Sequence, residues 1–405
     1  MFKVGIFLDS RKESGGAYQE LLYTIKNIKK YKKDKFKFLI ICSSKKLNLN
    51  LEKVGFELKY LSLGPFERYI CYLRNFSPFF RRIKKYFFFN NKFEKFIKKN
   101  KINLIYFTGP SQYSLYLENT KFLITVPDVS HRENLEFPEI VDESEFIRKD
   151  EIFKKSLPRA LGIFTNCEII KDRISFFYNI LKERIFIINH QPSSAVDDFK
   201  IADKRQEEEI RQKYNLPRNY IFYPSMYLPH KNHKNLIDSV DILKNKFLLN
   251  PKVVFCGHDI GYKRNLELYV KQKGLSENFY FLDFVKDEYL PYLYLNAFTL
   301  VMTSLIGPTN IPPWEAFKMK VPVIYPDLKG IKEVLKDAVL YADPYNPENI
   351  AEKIKKLFDD KDLRSNLIIN GEKRLSEVKS KEEFRQFFKL IEKYQDQISL
   401  YKLGK

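Results

Sequence analysis

The chain has 405 residues, of which 44% are hydrophobic and 30% charged, and this length suits two domains rather than one core. Its formal charge is +20, and residues 1–100 carry most of it, with 24 Lys and Arg against 8 Asp and Glu. A basic face of this kind predicts an anionic partner: a membrane surface, a nucleic acid or a phosphorylated substrate.

The four cysteines are too far apart for paired-cysteine zinc or redox motifs, and they favour a reducing cytosol: Cys42, Cys71, Cys167 and Cys256. The first ten residues are too short and too charged for a signal peptide. No apolar run is long enough to span a bilayer. We therefore expect a cytoplasmic protein.

The first half alternates apolar runs with amphipathic stretches. A strand at Val4–Leu8 leads into a loop ending at Gly15 and Gly16, and a helix is predicted over Ala17–Lys30. Strand, glycine loop and helix form a possible anion cradle, although the loop lacks the GxGxxG pattern and is a weak signal alone. Further strands are predicted at Phe36–Cys42, Phe56–Leu61, Ile102–Phe107, Phe122–Val126, Leu161–Asn166 and Ile185–Ile188, with helices at Glu143–Leu157 and Lys171–Tyr178.

Residues 66–100 interleave aromatic side chains with Arg and Lys. One interpretation is a helical region that lies on an anionic membrane, with its aromatics in the headgroup layer. A second is nucleic-acid binding by stacking and phosphate contacts, but no nucleic-acid motif accompanies the run, so we expect no nucleic-acid partner. The third is an amphipathic helix that faces the core and has a solvated basic back.

A polar cluster follows the strand at Phe122–Val126. Asp128, His131, Arg132 and Glu133 come just past its carboxyl end, where open α/β sheets place their ligands. His131 suits an acid–base or hydrogen-bonding role, although a lone histidine is more often structural.

The second half begins after a polar connection at residues 189–217 that includes a lead-in helix. Its first strand, Tyr220–Tyr223, precedes a loop containing His230, Lys231 and His233. Lys231 suits a phosphate ligand after a strand end, and a solvated basic loop is the alternative. The two histidines lack a third partner nearby, so we expect no metal.

The remaining elements continue the alternation. Helices are predicted from Leu236, at Tyr262–Lys273, from Lys286 through Asn296, and at Gly330–Leu335, Pro347–Phe358, Lys361–Lys373 and Lys381–Tyr401. Strands are predicted at Val253–Cys256, Phe279–Phe284, Phe298–Met302, Val321–Tyr325 and Ala338–Tyr341.

The stretch from Phe298 to Pro344 reads as strand, loop, helix, strand. Two prolines suit the helix entry because proline has no N–H to lose there, and Thr309 or Asn310 can cap it. The free N–H groups of the first turn and the helix dipole predict an anion site, with Glu315 just inside the helix. The alternative is an ordinary crossover that binds nothing.

This order predicts an α/β protein with two Rossmann-like, doubly wound parallel-sheet domains that face each other across a cleft. We expect a first domain at 1–190, a second at 191–380, and a C-terminal helix at 381–405 that packs back on the first. The cleft is the default site.

Several of these pieces together resemble glycosyltransferase family 4, retaining enzymes of GT-B fold. The matching motifs lie in order along residues 1–375: Gly15-Gly16, Asp128 to Glu139 with Phe137-Pro138-Glu139, Tyr223-Pro224, Pro229 to His233, Phe281 to Val285 with Asp287 to Leu290, Thr303 to Phe317, Val321 to Ile324, Glu333-Val334 and Ala338 to Pro344.

The resemblance implies roles for named residues. Diphosphate or donor binding falls to Gly15, Gly16, Lys231, Thr309, Asn310 and Ile311. The nucleotide base and ribose fall to Phe284, Val285 and Glu315, and catalytic roles to Asp128, His131 and Glu315. No metal or other cofactor is implied, because the lysine, backbone N–H groups and helix dipole take over the stabilisation of the diphosphate.

The sequence also departs from the family pattern. The family usually has two glutamates that flank seven residues; Glu315 matches the second, and the first falls on Gly307. The usual arginine before the phosphate-binding lysine falls near Met226, and the usual His-Asp pair reads Pro127-Asp128. The combination of GPTNIPP with PHKNH resembles bacterial surface-polysaccharide enzymes, so we interpret the departures as a subfamily trait.

The resemblance therefore implies a retaining glycosyltransferase. It would move a sugar from a nucleoside diphosphate sugar to a saccharide or lipid-linked saccharide acceptor during synthesis of an O-antigen, capsule or other surface polysaccharide. Residues 66–100 would dock on the inner face of the membrane. A nucleotide-sugar epimerase of the same fold and a catalytically silent scaffold or binding protein are the alternatives.

Overall fold

The structure, a computed structural model, describes residues 1–9, 16–44, 55–77, 79, 91–137, 139, 143–200, 203–307, 310–378 and 380–403. The chain divides into two compact units. Unit 1 contains Met1–Glu133, Ile140–Asn189 and Lys379–Lys405. Unit 2 contains Asn134–Glu139 and His190–Val378, so a short piece of the first half belongs to the second unit.

Unit 1 is built on a seven-stranded parallel sheet in the order β3-β2-β1-β4-β5-β6-β7. The strands are β1 (Phe2–Leu8), β2 (Phe36–Cys42), β3 (Glu57–Tyr60), β4 (Leu104–Phe107), β5 (Lys121–Thr125), β6 (Gly162–Thr165) and β7 (Ile185–Ile187). Near-continuous apolar runs predict strands such as β1 and β4, which are almost fully buried, because a parallel sheet is covered on both faces.

The helices of unit 1 connect these strands as crossovers, except for the last one, which follows the second unit. They are α1 (Gly16–Tyr31), α2 (Pro65–Phe76), α3 (Lys92–Lys99), α4 (Glu143–Ser156), α5 (Glu168–Tyr178) and α15 (Ser380–Leu403). In α3, Phe93 and Ile97 are buried while its lysines are exposed, so this part of residues 66–100 is a core-facing amphipathic helix with a solvated basic back. In α2, Phe66 and Tyr69 are exposed, and residues 80–90 lie outside the described part.

The last helix, α15, completes the core of unit 1. Phe384, Phe387, Phe388 and Ile391 are buried in one cluster with side chains of β1, β2 and α1. The ring of Phe387 lies 5.1 Å from that of Tyr106. The end of the chain therefore contributes to the first sheet's core.

Unit 2 has a six-stranded parallel sheet in the order β10-β9-β8-β11-β12-β13. The strands are β8 (Tyr220–Pro224), β9 (Val253–Cys256), β10 (Phe279–Leu282), β11 (Ala297–Val301), β12 (Val323–Pro326) and β13 (Leu340–Ala342). The helices are α6 (Ser194–Asp197), α7 (Lys204–Lys213), α8 (His233–Phe247), α9 (Lys263–Gln272), α10 (Leu290–Leu295), α11 (Pro312–Lys318), α12 (Ile331–Leu335), α13 (Pro347–Asp359) and α14 (Lys361–Glu377). Chain order reverses between β8 and β11, as in doubly wound nucleotide-binding folds.

Among the element boundaries of unit 2 that differ from the prediction are the starts of two helices. Helix α8 begins at His233 rather than Leu236, because Asn232 has left-handed backbone (φ 55°) and the helix starts directly after it. The helix predicted from Lys286 is a 3-10 turn at Asp287–Tyr289 followed by α10, whose second residue is a proline suited to a helix start.

Within the described residues, no helix combines the length and the apolar character that crossing a membrane requires.

Candidate donor-binding site

The loops that follow β8 and β11 are neighbours at the switch point of the second sheet, the place where its strand order reverses. Strands β8 and β11 are neighbours, with Phe222 opposite Leu300, and their carboxyl ends open into the loops 225–232 and 302–311. Crossovers leave such a pair of strands in opposite directions, and open α/β sheets bind their ligands at such a point.

Hydrogen bonds hold the first of these loops in place. Pro229–Lys231 forms a 3-10 turn, and the hydroxyl of Tyr223 donates to the Lys231 carbonyl at 2.6 Å. The Thr303 hydroxyl donates to the Asn232 carbonyl at 2.7 Å. These bonds fix the backbone that presents the lysine, and they join the loop to the one after β11.

Two residues predicted to bind diphosphate meet at this point. The Nζ of Lys231 lies 3.4 Å from the Oδ1 of Asn310, and the Asn310 amide donates to the Tyr325 hydroxyl at 2.6 Å. Ile311, predicted for the same role, immediately precedes α11. Thr309 lies outside the described residues. A lysine and an amide side chain beside a helix start provide a cation and donors suited to an anionic ligand.

Glu315 lies on the first turn of α11 and is only 4% exposed. The Tyr294 hydroxyl donates to its Oε2 at 2.8 Å, and the Ser193 N–H donates to its Oε1 at 3.4 Å. Burial raises the pKa of Glu315 above its ordinary value. Hydrogen bonds from Tyr294 and Ser193 thus hold this buried carboxyl in place. The predicted ribose-binding and catalytic roles of Glu315 stay predictions.

The residues predicted for the nucleotide base differ in exposure. Phe284 is 44% exposed and its ring stacks on His258, with centroids 4.7 Å apart and planes at 10°. Val285 is buried at 5% exposure. Of the two side chains, Phe284 offers an accessible aromatic surface.

In unit 1, Asp128 is exposed just beyond the carboxyl end of β5, where its Oδ1 accepts from the Ser130 N–H. A second carboxyl, Glu20 on α1, interacts electrostatically with it. Burial raises the pKa of Glu20 to about 7, and the Asp128 charge adds to the rise. A carboxyl that titrates near neutrality is typical of functional sites. Sequence reasoning misses Glu20, although its place on the helix after the glycine loop is a usable signal.

His131 lies inside unit 1, with 1% exposure. Its Nε2 is 3.0 Å from the Tyr178 hydroxyl, and that hydroxyl donates its proton to Asp150. Burial lowers the pKa of His131 to about 4, so the ring is neutral near pH 7. Its predicted acid–base role stays a prediction; the geometry shows a histidine that orders the loop after β5.

The glycine loop is described only in part. Gly15 lies outside the described residues, and Gly16 opens α1. At the corresponding switch point of the first sheet, between β1 and β4, the Ser111 hydroxyl donates to Asp9 at 2.6 Å. The predicted donor-binding role of the two glycines stays a prediction.

Sequence comparisons with known proteins match part of the chain. The model of the family described as glycosyl transferases group 1 matches residues 206–374, which lie in unit 2. The O-antigen chain mannosyltransferase RfbU of Salmonella typhimurium is 28% identical over 206 residues, covering 51% of this chain and 53% of that protein. O-antigen chain mannosyltransferase B of Escherichia coli is 27% identical over 212 residues, covering 52% and 55%. The chain thus spans about half the length of these curated relatives.

Solved structures match over nearly the whole chain. Anabaena Alr3699/HepE, in complex with UDP-glucose, has a TM-score of 0.72 at 16% identity, covering 98% of this chain and all of that one. WaaG, a glycosyltransferase involved in lipopolysaccharide biosynthesis, has a TM-score of 0.68 at 14% identity, covering 92% and 95%. At such low identity the likeness establishes the fold. Residues 206–374 thus resemble the group 1 glycosyl transferases, and the chain has the GT-B fold.

Proposed function

We propose that this protein is a retaining glycosyltransferase that moves a sugar from a nucleoside diphosphate sugar to a saccharide or lipid-linked saccharide acceptor in surface-polysaccharide synthesis. The observation that carries the proposal is the approach of Lys231 to Asn310 at the switch point of the second sheet. Two of the curated relatives are named O-antigen mannosyltransferases, so mannose is the donor sugar to test first.

Breaking the bond between sugar and diphosphate leaves negative charge on the departing phosphate oxygens, and catalysis requires groups that stabilise it. We assign this role to the Lys231 ammonium, with Asn310 and the backbone around Ile311 positioning the diphosphate. These groups suffice without a metal ion in the proposed mechanism. Glu315 would bind the ribose and Phe284 with Val285 the base, and Asp128 and His131 would orient the sugars.

The test is calorimetric binding of GDP, UDP, GDP-mannose and UDP-glucose to wild type and to Lys231→Ala. The variant should bind the preferred nucleotide about 10- to 100-fold more weakly, since one charge-assisted contact contributes roughly 1.5–3 kcal/mol. Lys234→Ala is the matched control, because Lys234 pairs with Asp238 on the exposed side of α8. Transfer should also persist when EDTA is added.

Equal affinity of wild type and Lys231→Ala would refute the site, and loss of transfer in EDTA would refute the metal-independent mechanism. Product analysis with and without an acceptor distinguishes transfer from epimerisation. A wild-type protein that binds none of the four nucleotides would favour the silent scaffold.

We further propose that the basic, aromatic segment of residues 66–100 docks on an anionic membrane at the cytoplasmic face. Supporting this, Phe66 and Tyr69 on α2 are 62% and 59% exposed, and exposed lysines cover the outer side of α3. Exposed aromatics beside basic side chains suit the headgroup layer.

A further inference from the structure

A short segment from the first half of the chain contacts the loop that carries Lys231. Residues 134–139 belong to unit 2. The Oε1 of Glu139 accepts from the His230 backbone N–H at 2.9 Å and from its ring Nδ1 at 3.0 Å. The Phe137 ring lies edge-on to the same imidazole at 6.1 Å. Two side chains of this segment therefore contact His230.

In the Glu139–His230 contact, the carboxylate accepts hydrogen bonds and the histidine donates them. Burial raises the pKa of Glu139, but hydrogen bonds from its own backbone N–H and from His230 outweigh burial, and the net shift is downward. An ionised carboxylate only accepts hydrogen bonds, so the proton of the His230 ring lies on Nδ1. The Glu139 side chain is 13% exposed and that of His230 10%. A largely buried, charge-assisted pair of this kind holds its loop more firmly than a solvated one would.

His230 is also held on its other side. Its carbonyl accepts from the Leu305 N–H at 2.8 Å, in the loop that follows β11. Lys231 is the next residue, and its ammonium approaches Asn310 in that same loop. The carboxylate of Glu139 and the loop after β11 thus fix the residue immediately before the proposed diphosphate ligand.

We propose that Glu139 is a positioning residue for diphosphate binding: it orients His230 and thereby sets the place of Lys231. The inference rests on the proposed function, because it assigns Lys231 to the diphosphate. The loops after β8 and β11 supply the groups proposed to bind the diphosphate. Glu139, from the first half of the chain, would act on them from outside these loops.

The experiment compares wild type, Glu139→Ala, Glu139→Gln and Glu136→Ala by calorimetry with the nucleoside diphosphate that wild type prefers. Glu139→Ala should weaken binding roughly tenfold, because it removes both hydrogen bonds that orient His230. The amide carbonyl introduced by Glu139→Gln still accepts both bonds, so this variant should stay within about threefold of wild type. Glu136 is exposed on the same segment, and its removal should leave affinity unchanged.

A spectroscopic readout separates positioning from mere folding. With 15N-labelled histidine, wild type should show the Nδ1-protonated form of His230, and Glu139→Ala should lose it. Equal affinity of wild type and Glu139→Ala would overturn the inference alone, as would a Gln variant as weak as the Ala variant. If wild type binds no nucleoside diphosphate, the proposed function fails and this inference fails with it.

Discussion

By its resemblance to glycosyltransferase family 4, the sequence has Gly307 where that family usually has its first glutamate. The backbone at Gly307 has φ +97°, a conformation that residues with a Cβ rarely adopt. The missing carboxylate and the backbone of this loop are therefore linked: a glutamate here requires a different loop path. The backbone conformation at this position therefore suits the glycine that distinguishes this sequence from the family pattern.

We predict that Gly307→Glu does not improve transfer and lowers stability by about 1–3 kcal/mol, the usual cost of a strained backbone. Gly307→Ala introduces the same strain without charge and should be destabilised by a similar amount. Thermal denaturation and transfer rates measure both effects. A Glu variant that is faster than wild type would show that the loop accommodates the family carboxylate.

The buried environment of a second residue, His233, affects the protonation of its ring. It is fully buried, stacked on Tyr223 at 4.7 Å, and neither ring nitrogen has a hydrogen-bond partner among the described residues. Burial lowers its pKa to about 3, and the charges of Lys231 and His230 contribute. The folded state therefore keeps this imidazole neutral well below the ordinary histidine pKa of 6.5.

The neutral His233 ring makes the stability of the folded protein depend on pH. Below pH 6.5 the unfolded chain binds a proton at His233 that the folded protein does not bind, so stability falls as pH falls from 6.5 towards 3. One such group contributes about 1.4 kcal/mol per pH unit. In urea titrations between pH 6.5 and 4.5, His233→Leu should show a shallower loss of stability than wild type. Parallel curves would contradict the assignment.

At the scale of elements, α15 connects the end of the chain to the first sheet. Phe387 is fully buried, and its ring lies 5.4 Å from that of Phe164 on β6. The helix also carries Glu383, which accepts from the Asn189 side chain at 2.6 Å. Its apolar face thus belongs to the core of unit 1, and the unit is incomplete without residues after 379.

We expect Phe387→Ala to destabilise unit 1 by about 3–5 kcal/mol, because it leaves a cavity in a close-packed core. Leu400→Ala, on the same helix but 69% exposed, should be close to neutral. Hydrogen exchange resolves the effect by region, with faster exchange expected in β1, β2 and β4. An unchanged pattern in these strands would mean that α15 does not stabilise the sheet.

At the scale of the whole molecule, the net charge of +20 is concentrated in residues 1–100. We predict that the protein sediments with vesicles containing anionic lipid at low salt, and that binding weakens as salt rises because screening reduces the attraction. The double variant Phe66→Ala with Tyr69→Ala should bind roughly tenfold more weakly, since about 1.4 kcal/mol of apolar burial is lost. Neutral vesicles are the control, and equal binding to both kinds would contradict docking by charge.

Much of this architecture follows from local patterns. The strand at Val253–Cys256 is where the apolar run predicts it, since residues between Pro251 and Gly257 have few alternatives to a buried strand. Lys231 and Asn310 are each predicted for diphosphate binding from their place after a strand and their resemblance to a family motif. Strands and helix faces depend on neighbours in sequence, and a periodic pattern therefore suffices to predict them.

The contacts between distant residues depended on the tertiary structure. Lys231 and Asn310 are 79 positions apart, and Glu139 and His230 are 91 apart, so no local pattern pairs them. The raised pKa of Glu20 and the lowered pKa of His131 likewise arise from burial, which packing creates. Sequence alone determined the two parallel-sheet units and the residues suited to a donor site. Only folding decided which of those residues meet, because their distances are set by how the crossovers pack on the sheets.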